Sequence, residues 1–139
     1  MIGLDTNILL RWLIGPDQRN FGASRSEVAA VERALSATGV EYFVNLVVLA
    51  ETTWVLEQKL KLERPALCEV VDRMLLAANI VVDDAATVGE ARRRFEVSNI
   101  GFADCLIGQI NRVAGCSHTL TFDRKAARQA GFRNIHARD

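Results

Sequence analysis

Short apolar runs alternate with longer stretches of helical period along these 139 residues, and that alternation leaves the chain few folds. The apolar runs are residues 2–4, 41–44, 80–82, 118–121 and 132–135. Each is too short for a helix and is bounded by turn-forming or capping residues, so each reads as a strand. Between them, Ile8 to Leu13 reads as helix, stopped by Gly15-Pro16-Asp17. Ser24 followed by Glu27 is a capping box that opens a helix through about Ser36. Leu46, Leu49, Ala50, Trp54 and Val55 have helical spacing and predict a helix from Asn45 to about Leu60. Pro65 suits a first helical turn, with Leu67, Val70, Val71, Met74 and Leu75 as its buried stripe through Ala78. Asp84 is placed to cap a helix to about Val97, with Val88, Ala91 and Phe95 inward. Two further helices, over 101–114 and 124–130, end at Gly115 and Gly131. Strands separated by helices imply right-handed crossovers: an α/β chain with a mainly parallel sheet and helices on both faces.

Four acidic residues sit inside or just after the apolar stretches. Asp5 ends Met1-Ile2-Gly3-Leu4, and Glu51 interrupts the run from Leu46 to Ala50. Asp104 splits Ile100-Gly101-Phe102-Ala103 from Cys105-Leu106-Ile107, and Asp123 follows His118 to Phe122. A charge in such surroundings is costly unless something pairs with it. In parallel α/β sheets ligands sit beyond the carboxyl ends of the strands, which is where Asp5 and Asp123 fall. Four carboxylates brought to one point would need a cation, and an all-oxygen donor set selects Mg²⁺ or Mn²⁺ over zinc. That chemistry suits phosphate esters.

Length fits one domain, residues 1–139, with room for a real core. No run approaches the roughly 18 apolar residues of a membrane span, and the N-terminus reads straight into a strand rather than a signal peptide. Cys68, Cys105 and Cys116 are odd in number and suit a reducing, cytoplasmic setting better than a disulfide framework. Net charge is zero, which argues against a bulk nucleic-acid binder, but its distribution is uneven. Residues 112–139 carry six Lys and Arg against Asp123 and Asp139, so a basic C-terminal segment accompanies the acids. It would hold a phosphate backbone, or simply be a solvated helix face.

The strings LDTN at residues 4–7, VVLAETTWVL around Glu51, FADCLI around Asp104 and TFDRKAAR around Asp123 resemble, in that order, the motifs of PIN-domain ribonucleases. The resemblance covers nearly the whole chain and is strongest to VapC toxins of type II toxin–antitoxin systems. It implies a three-layer α/β/α sandwich and a Mg²⁺- or Mn²⁺-dependent endoribonuclease whose acidic positions are Asp5, Glu51, Asp104 and Asp123. Thr6, Asn7 and Thr121 then take the polar positions beside them, orienting carboxylates or metal-bound water. The resemblance also implies an RNA substrate, a cognate antitoxin that reaches into the acidic pocket, and a homodimer. The apolar face around Trp54, Val55 and Leu56 is a candidate contribution to that dimer.

Mg²⁺ keeps several waters and takes only one or two carboxylates directly. Asp5 and Asp104 are therefore expected as the more direct ligands, with Glu51 and Asp123 acting through water or on a second ion. Glu51 is alternatively the residue that orients the attacking water.

Structural readings stand beside these. Asp5 and Asp123 each precede a helix and suit N-caps, and Glu51 would pair with a base. Arg92-Arg93-Arg94 reads as a solvated helix face, Trp12 and Trp54 as packing residues, and neither His118 nor His136 has a supporting ligand pattern. Two other functions are compatible with parts of the pattern. An aspartyl phosphatase of the haloacid dehalogenase type also ends its first strand in Asp, but it needs a second Asp where this chain has Asn7. A non-catalytic PIN-fold binding module would be favoured by loss of one of the four acids.

Overall fold

Three of the short strands run into helices through a side chain that caps the helix. A computed structural model of the chain describes residues 1–15 and 24–138; Pro16 and Asp17, expected to stop the first helix, lie outside them. Two compact units are distinguished, Met1–Ala85 and Ala86–Asp139.

In the first unit, β1 (Ile2–Gly3), β2 (Tyr42–Val44) and β3 (Ile80–Val82) pair in the order β1-β2-β3, all parallel. Gly3 pairs with Phe43 and Val44 with Val82. The helices α1 (Thr6–Ile14) and α2 (Arg25–Leu35) join β1 to β2. The helices α3 (Leu46–Trp54) and α4 (Arg64–Leu76) join β2 to β3. Parallel neighbours need such long crossovers, because a tight turn would reverse the chain. Tyr42, Val44, Ile80 and Val82 are buried while Phe43 and Val81 are half-buried, the period-two alternation of a sheet with one better-covered face. Leu9, Leu10, Val28, Leu49, Leu67 and Val71 are among the residues filling the core.

The expected apolar stripe of α3 is displaced. Its buried side is Leu49, Thr52, Thr53 and then Leu56, whereas Trp54 is 47% exposed. Thr53 can face the core because its hydroxyl donates to the Leu49 carbonyl at 2.9 Å and the Ala50 carbonyl at 3.1 Å, so that hydroxyl is not stranded. A wider π-helical turn, Val55–Lys59, continues α3. Leu56 is 1% exposed, which removes it from the expected dimer face.

The capping box at Ser24 forms. Ser24 Oγ accepts from the Glu27 backbone N–H at 3.1 Å, and the Glu27 carboxylate takes hydrogen bonds back from Ser24 and from Arg11. Those hydrogen bonds and the Arg11 charge hold the Glu27 carboxyl below its usual range.

The second unit holds all but the first residue of α5 (Ala85–Val97), with α6 (Phe102–Val113), β4 (Thr119–Thr121), α7 (Arg124–Ala127) and β5 (Phe132–Asn134), and β4 and β5 are parallel. Val88, Ala91 and Phe95 face inward as expected, and the Phe95 ring meets Phe102 edge-on at 5.6 Å between centroids. Asp84 has φ 48°, a left-handed backbone, in the turn that precedes α5. The last helix is shorter than its expected 124–130, and Gly131 at φ 86° turns the chain into β5. Gly108 on α6 has a specific role: a Cβ there would lie 2.6 Å from Cε2 of Phe132, so only glycine lets that ring rest on the helix. Cys68 and Cys105 are buried and Cys116 is exposed, and none of the three forms a disulfide among the described residues. Among the described residues no helix is long and apolar enough to cross a membrane.

Candidate active site

The carboxyl edge of the three-stranded sheet is polar at each strand. Asp5 follows β1, Asn45 follows β2 and Asp83 follows β3, and the ladder reaches this edge through Leu4 N–H to Phe43 O and Asp83 N–H to Val44 O, both 2.9 Å. Asp5 caps α1: its backbone is extended, and its Oδ1 accepts the Thr6 N–H at 2.7 Å. Asn45 caps α3 by accepting the Val48 N–H at 2.8 Å. These caps answer the unpaired N–H groups of a helix start, and the helix dipole favours negative charge there.

Asp5 is exposed, and one hydrogen bond occupies only one of its oxygens. Thr6 beside it is buried, while Asn7 is exposed and accepts Arg11 Nη1 on its backbone carbonyl at 3.0 Å. Glu51 lies in the second turn of α3 and is exposed. The apolar stretch around Glu51 does not bury it, because the buried side of α3 runs through its neighbours Thr52 and Thr53. Thr52 is fully buried and its hydroxyl has no hydrogen-bond partner among the described residues. Asn45, Asp83 and Thr52 were not singled out by sequence. Asn45 was open to recognition as a polar residue between a strand and a helix, but the neighbourhood of Asp83 and Thr52 is set by strand pairing and helix rotation.

In the second unit, Asp123 follows β4 and caps α7. Its Oδ1 accepts from the N–H groups of Lys125 at 2.8 Å and Ala126 at 3.1 Å. Thr121 Oγ1 accepts the Asp123 backbone N–H at 3.0 Å, so it fixes the backbone of the acid rather than its carboxylate. Asp104 occupies the first turn of α6, is half-buried, and receives a hydrogen bond from the Gly101 backbone. Burial, and then the charge of Asp123, push the Asp104 carboxyl above its usual range despite that hydrogen bond. These two acids therefore repel in the absence of a cation.

In each unit the candidate donors are oxygens of carboxylates, hydroxyls or side-chain amides, which suit a hard divalent ion, and the repulsion at Asp104 is what such an ion would relieve. Among the described residues no group of three or more His, Cys, Asp or Glu is close enough together to hold a metal by itself. Magnesium does not require one, since it retains waters and takes one or two carboxylates.

The remaining candidates have structural partners. Arg92 pairs with Glu96, Arg93 with Glu90, and Arg94 Nη1 donates to the Ala130 carbonyl at 3.3 Å. The Arg93 hydrogen bond, outweighing burial, holds the Glu90 carboxyl below its usual range. Arg73 lies over the Trp12 ring at 4.3 Å and Lys59 over Trp54 at 5.6 Å. His118 Nδ1 meets Ser117 Oγ at 3.0 Å, and the His136 ring meets Phe122.

Residues 2–132 match the family model of the PIN domain. A VapC ribonuclease of Aquifex aeolicus (strain VF5) is 27% identical over 136 residues, which cover 96% of this chain and 94% of that protein.

Proposed function

The chain belongs to the PIN-domain family, and on that premise we propose that it is a Mg²⁺- or Mn²⁺-dependent endoribonuclease, a cytoplasmic toxin neutralised by a cognate antitoxin. The observation that carries the reading is the placement of Asp5 and Asp123. Each stands exposed just beyond the carboxyl end of a parallel strand, with one carboxylate oxygen not used by its cap. The similarity to a VapC ribonuclease over nearly the full length supports both the activity and the toxin role.

Residues 1–139 would act as one nuclease domain, with Asp5, Glu51, Asp104 and Asp123 as its acids. Asp5 and Asp104 are assigned as the more direct metal ligands. Asp123, whose Oδ1 already holds two backbone N–H groups, would act through water from its other oxygen. A bound divalent ion supplies an acidified water and polarises the phosphoryl oxygen. Hydrolysis forms a new phosphorus–oxygen bond from water and breaks the bond to the leaving ribose oxygen. Glu51, exposed and therefore able to exchange protons with solvent, would take the proton of the attacking water. Thr121 would keep Asp123 in place through its backbone, and Thr6 would do the same for Asp5 through the 2.7 Å cap. Asn7 would contribute its exposed side chain beside them. The basic residues of 112–138 would hold the RNA backbone, and a second copy of the chain would complete a homodimer.

The test is incubation of antitoxin-free protein with total cellular RNA, using Mg²⁺ or Mn²⁺, EDTA, and the variants Asp5→Asn and Asp104→Asn. Discrete cuts that vanish with EDTA and in both variants are expected. Intact RNA after exposure to folded, metal-loaded wild type would overturn the nuclease reading.

A further inference from the structure

We infer that Phe122, with the His136 ring beside it, is a stacking platform for an unpaired RNA base, so that the chain acts on single-stranded stretches. The inference rests on the nuclease reading for its substrate class, and adds which form of RNA the second unit holds and by what group.

The two-stranded sheet of that unit has unlike faces. Thr119 and Phe132 are paired across it and turn toward α6: Thr119 Oγ1 accepts from Asn111 Nδ2 at 3.0 Å, and the Phe132 ring rests where Gly108 has no side chain. Side chains alternate along a strand, so Leu120, and Phe122 just past the strand end, fall on the other side. The Ile135 N–H bonds the Thr121 carbonyl at 3.0 Å and carries the pairing on to the level of Phe122. Leu120, Phe122 and Ile135 are all exposed, Phe122 at 74%. Apolar residues scattered singly on a surface need no explanation, but a group of three that includes an aromatic ring does.

The backbone fixes the two rings. Thr121 Oγ1 accepts the Asp123 N–H at 3.0 Å and Asn134 Oδ1 accepts the His136 N–H at 2.8 Å, so a side-chain turn closes the end of each parallel strand. These turns set Phe122 and His136 with ring centroids 5.7 Å apart and planes tilted by 52°. A ring already held on rigid backbone loses little freedom when a ligand stacks on it.

The neighbours of Phe122 identify what covers it. Adjacent Cα atoms lie about 3.8 Å apart, so a phosphodiester held at Asp123 brings its bases to the Phe122 ring. Arg124 and Lys125 follow, both exposed and without an ion pair among the described residues. An apolar protein partner does not call for those cations. Single-stranded nucleic acid uses both features, cations for its phosphates and aromatic faces for its bases. Bases inside a duplex are already stacked on one another, and stacking accepts any base, so the platform selects unpaired RNA rather than a sequence.

The full chain would be kept in EDTA and titrated with a fluorescent oligoadenylate of about ten nucleotides, an abasic chain of the same length, and a duplex. Phe122→Ala should weaken oligoadenylate binding about tenfold; Phe122→Trp should restore it and Phe122→Leu should not. The abasic chain and the duplex should bind wild type and Phe122→Ala alike. Because Phe122 is exposed, all three variants should melt with wild type. The platform is refuted by unchanged oligoadenylate affinity in Phe122→Ala, by an equal loss for the abasic chain, by rescue with leucine, or by no wild-type binding at roughly 1 mM RNA. Unchanged RNA affinity together with a smaller mass of Phe122→Ala in solution would make this face a contact between copies of the chain instead. A protein that binds as expected in EDTA but cuts no RNA with Mn²⁺ would lose the nuclease reading and keep the platform. One that cuts RNA but is indifferent to Phe122 would lose the platform alone.

Discussion

Asp104 and Asp123 act on one another: burial first, and the Asp123 charge second, hold the Asp104 carboxyl above its ordinary value of 3.8. Asp123→Asn keeps the cap of α7, because asparagine caps as well as aspartate, while removing the charge. The Asp104 value measured by carboxyl NMR should fall toward 3.8 in this variant, though not fully, since burial stays. No change would mean that the two acids do not interact.

The same shift sets a pH dependence in metal-free protein. A folded-state value above the unfolded one leaves stability complete below the unfolded value and loses it as pH rises through the folded one. Asp104→Asn should therefore melt above wild type at neutral pH, by about 1–3 °C after allowance for solvent screening. The gap should close as the pH falls to about 3.8. A variant that melts lower at pH 7 would reverse the sign and exclude the explanation.

Metal should raise stability in wild type. A ligand that binds only the folded state at a hundredfold excess over its dissociation constant contributes about 2.7 kcal/mol. Thermal melts in rising Mn²⁺ should climb by several degrees, and far less in Asp5→Asn or Asp104→Asn. A flat response in wild type would count against a preformed site.

Gly108→Ala tests the seat of Phe132. Alanine in a helix interior ordinarily gains about 1 kcal/mol over glycine. Here the new Cβ meets Phe132 at 2.6 Å and displaces the ring, so a loss of roughly 1–2 kcal/mol is expected in denaturant unfolding. Combining it with Phe132→Leu should recover part of the loss.

Ser24→Ala should cost about 1 kcal/mol, because it removes the acceptor for the Glu27 N–H at the start of α2. Ser24→Asn, which restores an acceptor, should regain most of it in the same melts.

Local chemistry was legible in the chain. Ser24 with Glu27, Pro65 at the start of α4, and the strand runs at 42–44 and 80–82 each depend on neighbours a few residues away, and the structure has them where those neighbours dictate. The four acidic residues were also visible, because a charge interrupting an apolar run stands out whatever the fold. Tertiary structure decided which side of each element meets the core. The rotation of α3 buries Thr52 and Thr53 and turns Glu51 and Trp54 outward; Thr53 bonds its own helix backbone and so packs as an apolar residue would, while the Thr52 hydroxyl is buried without a partner among the described residues. Asn45 and Asp83 join the edge of Asp5 only through parallel pairing of strands some 40 residues apart in sequence. That Gln109 Oε1 and Arg94 Nε are buried without a hydrogen-bond partner among the described residues leaves no trace in the sequence, because an unanswered hydrogen bond is a property of the space around an atom.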